Sequence, residues 1–273
     1  MREQKLISRL VGSIAIVGIL VLSACLNGTT NTINDIEDES FNIFFREWFP
    51  NQATEFPEMV IALSSTQDFN CSNYWINTDY EIDGNTITID FLSIEIGTVC
   101  STAMGPATGI IPIDLTEGTY NLELKNGSIT ETFQVVVTEE SITISGNTDS
   151  DSFFISNEIV YRFPEKSFAL VGGTNTDNQF LYENFLDSIK TNFEIEEFTF
   201  AEDGYIPYPD SGSGHNVNYP SSFFTYADED DFQSIGNYLI DYSSRKITSD
   251  SGVSIAIYNW KNYAYRSWYY YTE

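Results

Sequence analysis

The stretch GTYNLELKNGSITETFQVVV, Gly118–Val137, decides how the first half of the chain folds. Tyr120, Leu122 and Leu124 alternate with polar neighbours, Asn126-Gly127 interrupts them, and Phe133, Val135 and Val137 resume the alternation. A period of two places successive side chains on opposite faces of a strand, and Asn-Gly is a strong hairpin signal. The stretch therefore reads as two antiparallel strands with one face buried and the other wet. Outward from it the same pattern repeats. Ile87, Ile89 and Phe91 alternate with Thr86, Thr88 and Asp90 after the turn residues Asp83-Gly84, and short strands separated by turn signals begin at Met59. Such spacing is that of an all-β sandwich. Upstream, Phe41–Pro50 holds five aromatic residues in ten, which suits a first strand tucked against the sandwich or an exposed strip that binds a partner.

The segment Leu115-Thr116-Glu117-Gly118-Thr119-Tyr120 resembles the tyrosine corner of immunoglobulin-like and fibronectin type III-like sandwiches. That resemblance implies an Ig-like sandwich over residues 41–145 in which the Tyr120 hydroxyl bonds back to an upstream backbone group. Cys71 and Cys100 do not have the spacing of an immunoglobulin inter-sheet disulfide relative to Tyr120, so no subfamily is implied.

The pattern changes after the small, polar stretch 145–152, where a domain boundary is expected, and residues 150–273 read as a small α+β domain. SFALVGG (167–173) reads as a buried strand, and Asp177 is a candidate cap for a helix carrying Leu181, Phe185 and Ile189. EIEEFTF and SSFFTY follow as strands. The next segment, DEDDFQSIGNYLIDYSSRK, has acids in its first turn, an apolar stripe of Phe232, Ile235, Leu239 and Tyr242, and Arg245-Lys246 at its end, matching a helix and its dipole. GVSIAIYNW closes the series as strand. The order β-α-β-β-α-β resembles a ferredoxin-like split fold.

The front of the chain carries an address. Arg2, Lys5 and Arg9 precede thirteen uncharged residues, Leu10–Leu22. Thirteen helical residues rise roughly 20 Å, short of the ~30 Å hydrocarbon core, so residues 1–24 read as a secretory signal peptide rather than a spanning helix. Leu22-Ser23-Ala24-Cys25 resembles the lipobox of bacterial lipoproteins, which implies that Cys25 is diacylated and becomes the mature N-terminus. Residues 25–40 then form a flexible acidic tether. Leu26, in place of an aspartate, is similar to residues that release lipoproteins from the inner membrane. The acidic tract 35–39 resembles surface-export signals of some Gram-negative lipoproteins. The implied location is the outer membrane, held by lipid.

Composition narrows the partners. The chain has 12 basic and 40 acidic residues, and loss of residues 1–24 leaves 9 against 39, a net charge near −30. Such a chain repels phosphate backbones, so nucleic acid is not an expected partner. At 42% hydrophobic and 15% aromatic residues it is nonetheless too apolar to be disordered in bulk. With Cys25 assigned to lipid, Cys71 and Cys100 remain as an even pair in an exported protein, and a disulfide is expected.

Residues that carry chemistry are sparse. His215 is the sole histidine and lies in a Gly/Ser/Pro loop beside Ser211 and Ser213, so no catalytic set, no metal site and no cofactor are expected. Asp149 and Asp151, and Asp228 to Asp231, offer oxygens for calcium or simply acids at a turn and a helix start. In the tail, Trp260, Tyr263, Tyr265 and Trp268 are candidate ligand contacts, with coverage of the second domain as the alternative. The expected role is a non-enzymatic binding or assembly module, its partner an envelope protein or a glycan. The alternatives are a carbohydrate-binding accessory protein using the C-terminal aromatics, or an envelope hydrolase.

Overall fold

A computed structural model describes residues 32–269, apart from positions 34, 52, 53, 55, 98, 102, 147–150, 202 and 211–217. The expectations for residues 1–24, for Cys25, for His215 with Ser211 and Ser213, and for Asp149 lie outside the described residues.

Ten strands form the first sheet, in the order β10-β8-β7-β6-β4-β3-β5-β2-β1-β9. They are β1 (Phe41–Trp48), β2 (Glu58–Phe69), β3 (Tyr74–Asp83), β4 (Thr86–Ile96), β5 (Gly105–Pro112), β6 (Gly118–Asn126), β7 (Ile129–Val137), β8 (Ser141–Gly146), β9 (Phe153–Ile155) and β10 (Ile159–Tyr161). The sheet curls. Its two edge strands, β9 and β10, are consecutive in the chain and only three residues apart, β9 parallel to β1 and β10 antiparallel to β8. Between β3 and β5 the pairing narrows to Trp75 and Thr108. The alternating apolar residues meet inside, where the rings of Phe41, Phe91 and Phe153 pack at centroid distances of 4.4, 5.2 and 6.3 Å.

The hairpin read from the sequence is present, with a shift of one position. Gly127 and Ser128 form the two-residue loop, Gly127 supplying the positive φ of 58°, and Asn126 pairs with Ile129 as the last strand residue. Asn126 thus takes the inward position after Tyr120, Leu122 and Leu124, fully buried. Its amide donates to Ile36 O at 2.6 Å and to Glu39 O at 3.3 Å. Ile36 itself is core, 3% exposed, and Ile33 bridges to Ile94. The expectation of a flexible acidic tether through residue 40 therefore fails for residue 33 and residues 35–39. Two isoleucines and a buried amide tie that segment to the sandwich.

Five antiparallel strands make the second sheet, in the order β12-β13-β11-β14-β15. They are β11 (Ser167–Thr174), β12 (Ile195–Phe198), β13 (Ser222–Tyr226), β14 (Val253–Asn259) and β15 (Ala264–Arg266). Helices α1 (Phe180–Asn192) and α2 (Glu229–Lys246) cover one face, Phe185 and Ile189 of α1 and Ile235 and Leu239 of α2 packing onto Phe168, Phe224 and Ile255. Asp228 and Asp231 form a reciprocal capping box that starts α2. Asp177 does not cap α1, which starts after Gln179 without a side-chain cap. Thr176 and Asn178 instead tie the preceding turn to Ser251 O, at 2.7 and 2.9 Å, and the helix starts two residues later than an Asp177 cap would place it. The expected boundary at 145–152 also needs revision, because β9 and β10 hydrogen-bond into the first sheet and carry it to Tyr161.

Candidate functional site

The two sheets meet at the short crossing from β10 to β11, and one ion pair organises it. Glu47 continues the inward alternation of β1 beyond Phe41, Ile43 and Phe45, so its carboxylate ends among buried neighbours, 8% exposed. Such a group needs paired donors. Arg162 Nε donates to Glu47 Oε1 at 2.7 Å and the Phe163 backbone N–H donates to Oε2 at 2.8 Å. Arg162 also donates from Nη1 to Thr138 O and from its backbone N–H to Glu140 O, both at 2.9 Å. One residue thereby fixes β1, the β7–β8 turn and the crossing to β11.

A second tie comes from the loop after β12. Tyr205 exchanges two backbone hydrogen bonds of 2.8 Å with Ile159 and Tyr161, and its ring meets Phe44 edge-on at 4.7 Å. The same loop sends Phe200 and Tyr208 onto the helix-free face of the second sheet, against Phe223. Tyr208 OH donates to Ser167 O at 3.0 Å, and burial pushes that phenol far above its ordinary range.

Between these ties opens a cleft of about 1220 Å³. Its floor holds Glu47, Arg162 and Phe163, and Glu117, Glu139, Glu140 and Glu165 stand around it, with Arg162 the one basic lining residue among the described residues. Phe56 and Trp260 form the mouth, in edge contact at 5.7 Å with Phe56 more than half exposed. Lys261 lies 5.6 Å from the Phe56 ring centre and 5.0 Å from that of Trp260, and pairs with Glu229 at 3.0 Å. These aromatic faces already hold an ammonium group, the geometry of a cation–π contact. The site is thus acidic, aromatic and walled by both sheets, chemistry that suits binding of a positively charged or hydroxyl-rich ligand.

The four tail aromatics do not make one surface. Trp260 reaches the cleft, its Nε1 donating to Tyr226 OH at 3.1 Å. Tyr265 lies on the helix side against Phe232, over Gly236, where a Cβ would come within 2.3 Å of the ring. Trp268 packs on the opposite face with Val171 and Phe223. Tyr263 is 51% exposed in the turn before β15, its backbone N–H donating to Asn259 Oδ1. Sequence reasoning missed Glu47, Phe56 and Arg162. The sole signal for Arg162 is rarity, since each of so few basic residues faces many acids.

At the other end of the first sheet, Cys71 and Cys100 form a disulfide with Cα atoms 5.4 Å apart. The tyrosine corner is made as well, Tyr120 OH donating to Thr116 O at 3.0 Å. Asp228 and Asp231 are engaged in capping, and Asp151 accepts from Ser40 Oγ through its backbone carbonyl.

Residues 68–135 match the family model of the ORF11 beta-sandwich domain, which supports a β-sandwich for the first sheet. The match takes in both cysteines and Tyr120 and stops short of the second sheet. No curated protein and no solved structure matches the chain.

Proposed function

We propose that the chain is an exported lipoprotein of the outer membrane, anchored through Cys25, that acts as a non-enzymatic binding or assembly module and presents the cleft between its sheets to a ligand. The observation that carries the binding reading is the use made of the polar groups at the cleft floor. Glu47 and Arg162 spend their donors and acceptors on fixing β1, the β7–β8 turn and the start of the crossing to β11, leaving a fixed, acidic, ring-lined cavity. Pre-organised walls of this kind lower the ordering cost of binding. Within this reading the sandwich is Ig-like, supported by the Tyr120–Thr116 bond. The second domain is a ferredoxin-like split fold with one added edge strand, supported by the order β12-β13-β11-β14.

A second reading, binding of a glycan, is favoured by the Phe56 and Trp260 rings at the mouth, since aromatic faces stack on sugars. The test is a comparison of wild type with the double variant Phe56→Ala, Trp260→Ala, each purified from membranes and incubated with solubilised outer-membrane proteins and with envelope glycans. A ligand retained by wild type and lost by the variant supports the cleft, and its class decides between the readings. Equal retention by both proteins refutes the cleft. Intact mass of wild type and Cys25→Ala tests the anchor separately.

A further inference from the structure

Four carboxylates of the cleft come from three turns that are remote in sequence. Glu117 stands in the turn before β6, Glu139 and Glu140 lie between β7 and β8, and Glu165 lies in the crossing from β10 to β11. All four are exposed, and none has an ion-pair or side-chain hydrogen-bond partner among the described residues. Arg162 already pairs with Glu47 at 2.7 Å. Five glutamates against one arginine leave the lining with a charge of −4.

Carboxylates on turns are ordinary solvated groups when taken alone. The mouth of the cleft supplies a separate observation, because it already holds a cation. The Lys261 ammonium lies over two rings, 5.6 Å from the centre of Phe56 and 5.0 Å from that of Trp260. These rings come from different turns, the β1–β2 connection and the turn between β14 and β15, which Asn262 fastens by donating from Nδ2 to Asn51 O at 3.1 Å. Trp260 is held in place by its own bond to Tyr226 OH, and Phe56 stays 56% exposed, so ring surface remains accessible beside the ammonium. Lys261 also has Glu229 at 3.0 Å, and leaving the rings does not strand its charge.

We propose that the cleft binds a linear chain carrying several ammonium groups on alkyl stems, as a polyamine or a lysine-rich peptide does, one ammonium replacing Lys261 on Phe56 and Trp260 and the others meeting the four glutamates. The inference deepens the proposed binding role and rests on it. Phe163, Phe198 and Phe200 line the same cleft and offer apolar surface to the stems. A volume of about 1220 Å³ exceeds the ~300–1,000 Å³ of sites that take one small molecule, and suits a longer chain. Each exposed ion pair contributes little by itself, so several on one chain are needed for measurable affinity. The net charge of −28 draws such a chain toward the protein before contact.

The test is calorimetric titration of the full-length protein with spermine and, separately, with tetralysine, in about 0.1 M salt, where distant exposed charges are screened. The double variant Glu139→Gln, Glu165→Gln is expected to weaken binding about fivefold or more. Glu183→Gln, Asp187→Asn makes the same change of charge on exposed positions of α1, across the second sheet from the cleft, and is expected to weaken it less than about twofold. Lys261→Met, which clears the rings, is expected to tighten binding about threefold relative to Lys166→Met, which removes an equal charge beside Glu165. This pattern with either probe supports the inference, and the tighter probe separates a polyamine from a peptide. Equal effects of the two acidic pairs, or of the two lysine variants, overturn it, since the field of the whole protein then accounts for binding. Failure of both probes to bind wild type also overturns it. The binding role then stands if envelope material is retained by wild type and lost by Phe56→Ala, Trp260→Ala, and falls if retention is equal.

Discussion

Arg162 donates at 2.7 Å to the carboxylate of Glu47, a residue 115 positions earlier and only 8% exposed. Removing one partner of such a pair leaves a buried charge uncompensated, which costs about 3 kcal/mol or more. Arg162→Met is therefore expected to lower the urea midpoint by that equivalent. Glu47→Gln, whose amide oxygen still accepts a hydrogen bond, is expected to lose about 1–2 kcal/mol. Equal midpoints for Arg162→Met and wild type would refute the organising role given to this pair.

Asn126 holds residues 36–39 through its amide, and Glu37 adds a second tie by accepting from the Ser128 hydroxyl and backbone N–H. Asn126→Ala is expected to cost about 1–2 kcal/mol and to speed amide exchange in residues 33–39 ahead of global unfolding. The Ser128 bonds hold the Glu37 carboxyl below its ordinary range. A lowered folded-state pKa means that this tie is complete above the ordinary carboxylate range and is lost as pH falls through the lowered value. Protection of the segment relative to intrinsic exchange rates should therefore fall under acid before that of the sandwich core, as pH-dependent exchange would show.

The Cys71–Cys100 disulfide closes a loop of 29 residues. Chain-entropy arguments give roughly 3–4 kcal/mol for a loop of that size. Cys100 is exposed, so a reductant is expected to reach the bond without prior unfolding. Denaturant midpoints measured with and without reductant should separate by that amount, and coincident midpoints would show that the hydrogen bonds of Asn73 with Val99 and Ser101 alone hold the β4–β5 connection.

Burial raises several tyrosines of the second domain, Tyr182 to about 12 from 10.0. The neutral phenol is the form the fold prefers. Above pH ~10 the unfolded chain gives up this proton while the folded chain keeps it, so stability falls as pH rises from there to about 12 and levels beyond. Two pH units correspond to on the order of 3 kcal/mol from this residue. Unfolding midpoints between pH 9 and 12 should fall less steeply in Tyr182→Phe than in wild type.

Sequence alone determined what depends on near neighbours. Alternation at Tyr120, Leu122 and Leu124 and at Ile87, Ile89 and Phe91 specifies strands, because a pleated chain sends every second side chain to one face. The stripe of Phe232, Ile235, Leu239 and Tyr242 and the acids before it specify α2, because helix periodicity and capping are settled within a turn or two. The Tyr120–Thr116 bond joins residues four apart. Tertiary structure decided what depends on distant partners. Ile33 and Ile36 sit in an acidic stretch that reads as solvated until Ile94 and Asn126 cover it. β9 and β10 span three residues each, too short for any period, and join the first sheet because its two open edges accept their backbone groups. Trp260, Tyr265 and Trp268 are near one another in sequence, yet the strand and turns between them send each to a different place. Glu47 reads as one acid among 40, and only the curling of the first sheet, which brings the end of β10 to β1, gives it Arg162. Local chemistry chooses the elements, whereas burial energy released when remote elements meet chooses the partners.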